Sequence, residues 1–408
     1  MITALNRTLT LILAGGEGKR LYPLTKDRAK PAVVFGGIYR IIDFTLSNCL
    51  NAGLRKIHLL TQYRSHSLQR HVALGWNIFR SGEFVDIVPP QQRGTDSLYR
   101  GTADAIFHNI FLLDDDKPDY VLILAGDHVY KMNYERFLGY HIKKGADLTV
   151  ACVSAPLQKA KHYGVVAADK DGRITDFLEK PSEPPLAPGY KDKTYVSMGI
   201  YVFSTKELVK AVVADAKRDT AHDFGRNVIP AMVKSGKQVY AYSFLDEKQK
   251  VEAYWRDIGD LDSFHEANMD LCDVNPVFNL YDIAWPLRTY MEPHPPAKTV
   301  FDDKKKGGRR GQALDSLVSP GVIISGGTVR HSILSPNVRV NSFAQVEDSI
   351  LFHGVDIGRH CRIRKAIIDK DVKVPTKTEI GYDPEKDKKQ FTVSRGGVVV
   401  IPKGHRFD

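Results

Sequence analysis

Short apolar runs alternate with amphipathic stretches along the first part of the chain. Four of the runs are continuous enough to be buried strands: Leu9–Gly15, Lys56–Gln62, Tyr120–Asp127 and Ala146–Val153. The stretches between them have the spacing of helices: residues 42–53, 103–115 and 133–145. Strands and helices that alternate in this order form βαβ units around a mostly parallel sheet, and ligands bind at the carboxyl ends of the strands. The pattern therefore predicts a Rossmann-like α/β domain.

The region that follows has the pattern of a hairpin and two helices. Residues 163–181 contain two strand-like runs joined by a Lys-Asp-Gly turn, and a proline-rich loop comes after them. Helical spacing returns at residues 223–236 and 259–271, and a proline-rich stretch without regular spacing follows. We therefore expect an α/β domain over residues 1–275, a linker over residues 276–312 and a C-terminal domain over residues 313–408.

The C-terminal region repeats its apolar residues at 17-residue intervals, as from Val329 to Val346. The repeat has three registers: Ile323, Val340, Ile357 and Val374; Val329, Val346, Ile363 and Ile380; Leu334, Leu351 and Ile368. Three short apolar faces in each coil are typical of a parallel β-helix. The array is short and its glycines are sparse, so an irregular β-sandwich is the alternative.

Composition narrows the class of protein. A chain of 408 residues is expected to form two or three domains. Its four cysteines lie far apart without a CxxC pair, which argues against a zinc site or a disulfide framework and favours a reducing cytosol. We expect a cytoplasmic protein, because the N-terminus lacks a signal-peptide layout and no apolar run is long enough to span a membrane.

The net charge of +10 suggests an anionic partner, either a nucleic acid or a small anionic substrate or effector. The densest basic run, Lys304–Arg310, has no aromatic residues among its cations and lies beside two aspartates. That composition favours a solvated loop over a surface for single-stranded nucleic acid. We therefore expect small anions rather than nucleic acid.

The first apolar run ends in a glycine-rich turn, LAGGEGKR. It is not a Walker A loop, because Arg20 stands where that motif needs Ser or Thr, and it lacks the spacing of a dinucleotide fingerprint. Gly15, Gly16 and Gly18 allow backbone N–H groups to approach an anion closely, and Lys19 and Arg20 add positive charge. The turn is therefore a candidate phosphate cradle, although an ordinary turn has the same composition.

Further charged residues follow predicted strands. Asp127 comes after the third apolar run, and Asp257 lies in the motif WRDIGD, so the two carboxylates could hold Mg²⁺ if the fold brings them together. Asp127 could equally be the N-cap of a helix. Glu179 and Lys180 suit sugar hydroxyls and a phosphate, although an exposed charge pair would look the same. Lys30 lies beside a proline in RAKPAV.

Eight motifs occur in one order: LAGGEGKRLYPLT, RAKPAV, RIIDFTLSN, YRGTADAI, LAGDHVYKM, FLEKP, SMGIYVF and YWRDIGD. From about residue 9 to its end the chain resembles the bacterial glucose-1-phosphate adenylyltransferases (ADP-glucose pyrophosphorylases). The resemblance implies a Rossmann-like nucleotidyltransferase domain with a mostly parallel mixed sheet, followed by a left-handed parallel β-helix. It also implies Mg²⁺-dependent transfer of AMP from ATP to glucose 1-phosphate for glycogen synthesis, in an allosteric homotetramer.

The same resemblance implies a role for each matching residue. The expected contacts of ATP are Gly15, Gly16, Arg20 and Lys30, with Gln91, Gln92, Gly101 and Thr102 around the adenine. Those of glucose 1-phosphate are Tyr99, Gly164, Glu179, Lys180 and Ser197. Asp127 and Asp257 are the expected Mg²⁺ ligands, and Arg20, Lys30 and Asp127 the expected catalytic residues.

The chain departs from the family pattern at Glu17, Asp27 and Leu98, which leaves the identity of its effectors open. Arg40 is a candidate contact for an effector anion, with a surface ion pair as the alternative. Three other functions stay open: transfer from another nucleoside triphosphate, a regulatory subunit without turnover, and acyl transfer by the β-helix. The candidate histidines for acyl transfer are His331, His353 and His360.

Overall fold

The structure is a computed structural model, and it describes residues 2–77, 80–90, 98–245, 253–305 and 307–407. Its helices are α1 (Ile2–Asn6), α2 (Ile41–Asn51), α3 (His66–Gly75), α4 (Thr102–His108), α5 (Leu112–Asp116), α6 (Tyr134–Lys144), α7 (Leu157–Ala160), α8 (Thr205–Ala216), α9 (Ile229–Lys234), α10 (Leu261–Met269) and α11 (Pro384–Gln390). The strands of the N-terminal part are β1 (Thr8–Ala14), β2 (Val34–Phe35), β3 (Tyr39–Arg40), β4 (Lys56–Thr61), β5 (Phe84–Val88), β6 (Tyr120–Ala125), β7 (His128–Tyr130), β8 (Leu148–Pro156), β9 (Gly164–Ala168), β10 (Ile174–Glu179), β11 (Lys193–Ser204), β12 (Val239–Ser243) and β13 (Trp255–Asp257).

The central sheet is mixed, with a parallel half. Within the described residues its strand order is β10-β9-β11-β6-β1-β4-β5, and β8 pairs with both β11 and β12. Strand β1 pairs in parallel with β4 and β6, and β4 pairs in parallel with β5. Strand β11 runs antiparallel to β6, β8 and β9. The predicted α/β fold with a mixed sheet is confirmed, although antiparallel pairs are as frequent as parallel ones among the described strands. The ends of β1 and β6 form one edge.

The sheet separates two apolar layers, which explains the continuous apolar character of its strands. Leu9 and Leu11 of β1 pack into the layer that α4 and α8 cover, whereas Ile12 and Ala14 pack into the layer that α2, α3 and α6 cover. A strand buried on both faces is apolar at nearly every position, and in β1 the exceptions are the buried threonines Thr8 and Thr10. Each fully buried Leu or Ile contributes about 1.5–3 kcal/mol relative to an exposed one.

The predicted helices form with two changes. Helix α6 begins after Asn133, whose side chain accepts from the backbone N–H groups of Glu135 and Arg136, and it ends at Gly145 with a φ of 56°. The stretch 103–115 forms two helices, α4 and α5, because Asn109 ends the first of them. Residues 224–228 form a π-type turn before α9.

The C-terminal domain is a parallel β-helix, as the repeat predicts. Its strands are β14 (Lys298–Val300), β15 (Gln312–Leu314), β16 (Leu317–Val318), β17 (Ile323–Ser325), β18 (Thr328–Arg330), β19 (Ile333–Leu334), β20 (Arg339–Val340), β21 (Gln345–Glu347), β22 (Ile350–Leu351), β23 (Asp356–Ile357), β24 (Arg362–Arg364), β25 (Ala366–Ile368), β26 (Lys373–Val374), β27 (Glu379–Ile380), β28 (Thr392–Val393) and β29 (Val399–Ile401). In the described residues these strands form the sheets β14-β17-β20-β23-β26, β15-β18-β21-β24-β27 and β16-β19-β22-β25-β29-β28. Strand β14 lies within the segment predicted as a linker.

One predicted register of the repeat is wrong by one residue at its first position, whereas its pairs Val340–Ile357 and Ile357–Val374 are confirmed. Ile324, not Ile323, pairs with Val340 and is fully buried, because the first coils advance by one residue fewer than the later ones. The other two registers are confirmed from Val329 and Leu334 onward. At the corners the backbone turns through left-handed residues, among them Phe343 and His360 in one column.

The β-helix and the α/β domain share an apolar core. Phe264 of α10 lies beside Phe352 of the β-helix with ring centroids 6.5 Å apart, and Ile333 and Ile350 join the same cluster. A buried ion pair crosses the same junction. The Arg28 guanidinium donates to both carboxylate oxygens of Asp369, at 3.0 and 2.9 Å, and the two side chains are 5% and 1% exposed.

This buried ion pair yields a prediction about stability. Asp369→Asn leaves the Arg28 charge buried without a counter-ion and should lower the free energy of unfolding by about 3–5 kcal/mol. Urea unfolding followed by circular dichroism measures this loss. Arg28→Met combined with Asp369→Asn should restore part of the stability, because the unpaired charge is then gone. Glu379→Gln, in the exposed pair with Arg362, is the control and should change little. An equal loss in the single and double variants would contradict the assignment.

Candidate active site

The glycine turn after β1 is held in place by the segment that follows it. Gly18 has a left-handed φ of 66°, and a Cβ atom there would lie 3.0 Å from Thr25 and 3.2 Å from Lys30. The Thr25 hydroxyl donates to the Gly18 carbonyl at 3.0 Å. At Gly16 no atom lies within 4 Å of where a Cβ would stand, so this part of the turn is open. The turn therefore has one packed side and one side that an anion can approach.

A cavity of about 740 Å³ opens beside this turn, within the size range of small-molecule sites. Most of the residues expected from the sequence line it: Gly15, Gly16, Arg20, Lys30, Tyr99, Gly101, Thr102, Asp127, Gly164, Glu179, Ser197 and Asp257. Lys180 lines an adjoining groove that shares Phe177, Glu179 and Gly225 with the cavity. Arg40 lines a different cavity. Gln91 and Gln92 lie outside the described residues.

A charged cluster lies at the centre of the cavity. The Lys30 ammonium lies 2.7 Å from Oδ2 of Asp127 and 3.4 Å from Oδ1 of Asp257. Nε2 of His128 lies 3.6 Å from Oδ1 of Asp127 and 3.8 Å from Oδ1 of Asp257. The antiparallel pairing of β13 with β7 places Asp257 directly opposite His128. Asp127 precedes strand β7, so the alternative that it caps a helix is wrong.

The charges of this cluster perturb one another. Burial disfavours the charged form of Lys30, but the carboxylates of Asp127 and Asp257 outweigh it and raise the pKa of Lys30. Burial also disfavours ionised Asp127, but Lys30 and His128 outweigh it and hold the pKa of Asp127 well below its usual range. At neutral pH the cluster therefore contains an ammonium and ionised carboxylate. Strongly perturbed groups in a cleft are typical of functional sites.

The donor set fits a divalent cation. Ligand atoms of Asp127, His128 and Asp257 all lie within 4.8 Å of one another. Carboxylate oxygens are the protein ligands that Mg²⁺ prefers, and a small number of them is usual where substrate phosphates complete the coordination. Because Lys30 takes Oδ2 of Asp127, the other oxygen of that carboxylate is left on the side of His128.

The far side of the cavity carries the residues expected to meet a sugar. A Cβ atom at Gly164 would lie 2.8 Å from Phe177 and 3.1 Å from Oε2 of Glu179, so only glycine leaves this face open. Burial and the nearby charge of Asp223 raise the pKa of Glu179. Lys180 has a left-handed φ of 51°, and its ammonium lies 4.0 Å from Glu179 with 55% of the side chain exposed. The Lys180 side chain is therefore free to meet an anion.

The cavity lining also contains residues that were not predicted from the sequence, among them His128, Tyr201, Asp223 and Trp255. His128 and Trp255 lie inside the motifs AGDHVY and WRDIGD, close to the predicted Mg²⁺ ligands Asp127 and Asp257. The His128 ring packs edge-on against Trp255 with centroids 5.3 Å apart. Asp223 follows a histidine in AHDFG, and only its closeness to Glu179 and Thr102 reveals its position.

A second cavity, of about 340 Å³, lies where the α/β domain meets the β-helix. Its lining is rich in cations: Arg40, Arg70 and Lys370, with His66, His71, His294 and His353. With the residues that the structure describes, Arg40 forms no surface ion pair. Its guanidinium donates to the Ala32 carbonyl at 2.5 Å and to the Ser67 hydroxyl at 3.2 Å. Burial, together with Arg40 and Arg28, lowers the pKa of Lys370 to about 8.

The three β-helix histidines occupy different surroundings. His331 lies 2.8 Å from Asp348, His360 stacks on Phe343 with ring centroids 4.8 Å apart, and His353 lines the second cavity. They therefore do not converge on one candidate acyl-transfer site. In the part of the chain that the structure describes, none of the helices has the length and hydropathy that a membrane crossing requires.

Comparisons with known proteins agree with this architecture. Residues 9–274 match the family described as "Nucleotidyl transferase", and residues 295–401 match the family described as "GlmU-like, C-terminal hexapeptide". The sheet, the cavity and the β-helix are thus those of a nucleotidyltransferase with a hexapeptide-repeat domain.

Curated relatives define the family more closely. The chain is 51% identical to a glucose-1-phosphate adenylyltransferase of Koribacter versatilis, covering 98% of this chain and 96% of the relative. It is 52% identical to one of Rhodopirellula baltica, covering 98% and 91%, and 51% identical to glucose-1-phosphate adenylyltransferase 2 of Vibrio cholerae, covering 98% of both. The chain belongs to the glucose-1-phosphate adenylyltransferase family, so the resemblance carried by its motifs is confirmed.

The charged cluster yields a prediction about protonation. Lys30→Met should raise the pKa of Asp127, because burial then acts without the ammonium that opposes it. In the parent, the stability that ionised Asp127 contributes is present above its unfolded pKa and is lost as pH falls through its lowered folded pKa. A higher folded pKa in the variant shrinks this contribution, so the variant should lose less stability on acidification than the parent. A carboxyl carbon NMR titration, with the Asp127 signal assigned by Asp127→Asn, measures the shift. Lys19→Met, in the exposed pair with Glu17, is the control. An unmoved Asp127 titration would refute the coupling.

Proposed function

We propose that the chain is a glucose-1-phosphate adenylyltransferase that transfers AMP from ATP to α-D-glucose 1-phosphate and releases pyrophosphate. One observation carries this proposal: the Lys30–Asp127–Asp257 cluster lines the same cavity as the glycine turn and Glu179. A cation and two carboxylates beside two anion-accepting faces suit the joining of two phosphate-bearing substrates. The family membership supports the same reaction.

The nucleotide side of the cavity is assigned to ATP. The open backbone of Gly15 and Gly16 and the guanidinium of Arg20 would contact the triphosphate, and Lys30 would stabilise it as charge develops. Gly101 and Thr102 lie beside Tyr99 and would face the adenine side. Gln91 and Gln92 keep their proposed place around the adenine.

The sugar side is assigned to glucose 1-phosphate. Glu179 offers carboxylate oxygens to sugar hydroxyls, and Gly164 leaves room for the ring. Ser197 and Tyr99 add hydroxyl groups along the same wall. Lys180, mostly exposed at the mouth, would take the phosphate as a point charge.

The chemistry needs positioning more than proton transfer. A phosphate oxygen of glucose 1-phosphate attacks the α-phosphorus of ATP, the new P–O bond forms, and the bond between the α- and β-phosphates breaks as pyrophosphate leaves. A phosphate monoester has a second pKa of about 6 and is mostly ionised at neutral pH, so no general base is required. Arg20, Lys30 and Lys180 would neutralise the two approaching anions and hold them in line.

Mg²⁺ is the proposed cofactor, and Asp127 and Asp257 are the residues that would hold it. When bound, it supplies Lewis-acid neutralisation of the phosphate charge. The Asp127 carboxylate keeps its ionised form at working pH because Lys30 holds its pKa low, so its ligand oxygens are available without a preceding deprotonation.

The second cavity is the proposed site for small anionic effectors, with Arg40 among its contacts. The Arg40 guanidinium already bonds the carbonyl of Ala32, two residues after Lys30, so an anion drawn to Arg40 would act on the segment that carries Lys30. A homotetramer in the cytoplasm, active in glycogen synthesis, completes the proposal. The oligomeric state, the location in the cell and the pathway are proposed from the family alone, because the active-site cavity does not determine them.

The main test is the synthesis assay with a panel of nucleotides. The protein with Mg²⁺, glucose 1-phosphate and ATP should form ADP-glucose and pyrophosphate, and UTP, TTP and GTP should be poorer substrates.

Asp127→Ala should reduce turnover by at least about a hundredfold, since it removes charge stabilisation at the reacting phosphates. Lys180→Ala should raise the KM for glucose 1-phosphate more than it lowers kcat. Lys191→Ala, an exposed lysine, is the matched control. Preference for another nucleotide would select the alternative transferase, and no turnover with any would favour a regulatory subunit.

The second cavity yields a prediction about pH. Affinity for a phosphate-bearing effector should fall as pH rises from 7 to 9, because Lys370 loses its charge through its pKa of about 8. Isothermal titration with fructose 1,6-bisphosphate, AMP and inorganic phosphate measures this dependence. Lys370→Met should weaken binding at pH 7 and flatten the profile, whereas Lys373→Met, at an exposed position of β26, should leave both unchanged. A profile that stays steep in Lys370→Met would exclude this residue as its source.

A further inference from the structure

One short segment touches both sides of the cavity. Residues 220–224 lie against the Gly101–Thr102 turn on the nucleotide side. On the sugar side, Oε2 of Glu179 and Oδ1 of Asp223 lie 3.2 and 3.4 Å from where a Cβ atom at Gly225 would stand. We call the residues Asp215, Thr220, His222 and Asp223 the clasp. The clasp contacts both substrate sides of the cavity. The roles proposed above for the cavity residues give it no function.

The backbone of the clasp fits directly onto the nucleotide turn. The His222 carbonyl accepts from the backbone N–H groups of Ala103 at 2.8 Å and Asp104 at 3.3 Å, at the start of α4. A Cβ atom at Gly101 would overlap the carbonyl oxygens of Ala221 and His222. The turn therefore keeps its position only while the 221–222 peptide keeps its own.

A side-chain bridge joins the same two segments. The Thr102 hydroxyl donates to Oδ2 of Asp223 at 3.0 Å and accepts from the Phe224 backbone N–H at 3.0 Å. The other carboxylate oxygen of Asp223 accepts from the Arg226 backbone N–H at 3.1 Å. One carboxylate thus connects the hydroxyl of the nucleotide turn with the start of the turn that borders Glu179.

The contacts of His222 with Asp215 and Thr220 fix this arrangement. Its side chain is buried, with Nδ1 2.9 Å from Oδ2 of Asp215, and its backbone has a left-handed φ of 49°. The Thr220 hydroxyl donates to the other Asp215 oxygen at 3.0 Å and accepts from the His222 backbone N–H at 3.1 Å. A left-handed conformation in a residue other than glycine persists where its surroundings impose it. Asp215 belongs to α8, whose Leu208 and Val212 are part of the core.

We propose that His222 is a positioning residue, and that the clasp couples the binding of the nucleotide to the binding of the sugar phosphate. The inference rests on the proposed function. When the sugar side is filled, hydroxyl groups near Glu179 and Asp223 order the shared carboxylate, and that carboxylate orients Thr102 toward the nucleotide. Coupling of this kind is reciprocal, so each substrate should raise the affinity for the other.

The experiment measures this coupling by isothermal titration with α,β-methylene-ATP, with and without glucose 1-phosphate. In the parent protein we expect each ligand to raise the affinity for the other about tenfold, within the usual range for coupled sites. Thr102→Val removes both hydroxyl contacts and should bring this factor close to one. Thr102→Ser keeps the hydroxyl and should retain most of it.

His222→Asn tests the residue itself. Asparagine tolerates a left-handed backbone, so this variant removes the imidazole while sparing the φ requirement. We expect the KM values for ATP and glucose 1-phosphate to rise together, by about tenfold, with a smaller change in kcat. His141→Asn is the matched control, because His141 is another buried histidine, bonded to Thr149 at 2.8 Å and away from the cavity. It should lower the melting temperature without changing the coupling.

The outcomes separate the two proposals. A parent protein that forms no ADP-glucose overturns the proposed function, and the clasp proposal with it. An active parent without coupling, or coupling that survives in both Thr102→Val and His222→Asn, overturns the clasp alone. Loss of coupling in Thr102→Val with recovery in Thr102→Ser supports the bridge, even if His222→Asn fails to fold.

Discussion

The active-site cavity depends on one buried ammonium between two carboxylates. The carboxylates of Asp127 and Asp257 would repel each other. The Lys30 ammonium offsets that repulsion, because it lies 2.7 Å from the Asp127 carboxylate and 3.4 Å from that of Asp257. The Lys30 segment is itself fixed at both ends, by Arg28 in the ion pair with Asp369 and by Ala32 in the hydrogen bond from Arg40. The charge balance at the reacting phosphates is therefore tied to the packing of the β-helix against the α/β domain.

How far the sequence predicts this structure depends on how local each signal is. The parallel strands, the hairpin and the 17-residue repeat appear in consecutive residues, and the structure contains them. The sequence did not predict strands β5 and β12 or helices α3 and α8. Much of their pattern of apolar and polar residues is set by their neighbours in the fold. Only the first position of one β-helix register was wrong, because Ile323 and Ile324 are both apolar and only pairing with Val340 distinguishes them.

The candidate site shows the same limit. The glycine turn is predictable because Gly18 must adopt a left-handed backbone within a few residues of Thr25 and Lys30. The convergence of Asp127 with Asp257 is not predictable from the sequence, because it arises from pairing between two strands of three residues each. Asp223 has no local signal at all, and its place follows from the segment that joins α8 to the π-type turn.

Two contacts bridge the halves of the cavity, and they differ in kind. The Lys30 cluster acts through charge and is strongest where water is excluded, so substrate phosphates and a bound cation will change it most. The clasp acts through backbone and hydroxyl hydrogen bonds anchored in the core, so the protein fixes its frame, and the substrates would act on it through the Asp223 carboxylate and the Thr102 hydroxyl. A site that joins two anions needs both: a fixed frame keeps the reacting groups in line, and an adjustable charge cluster balances them as the transferred phosphate moves from one partner to the other.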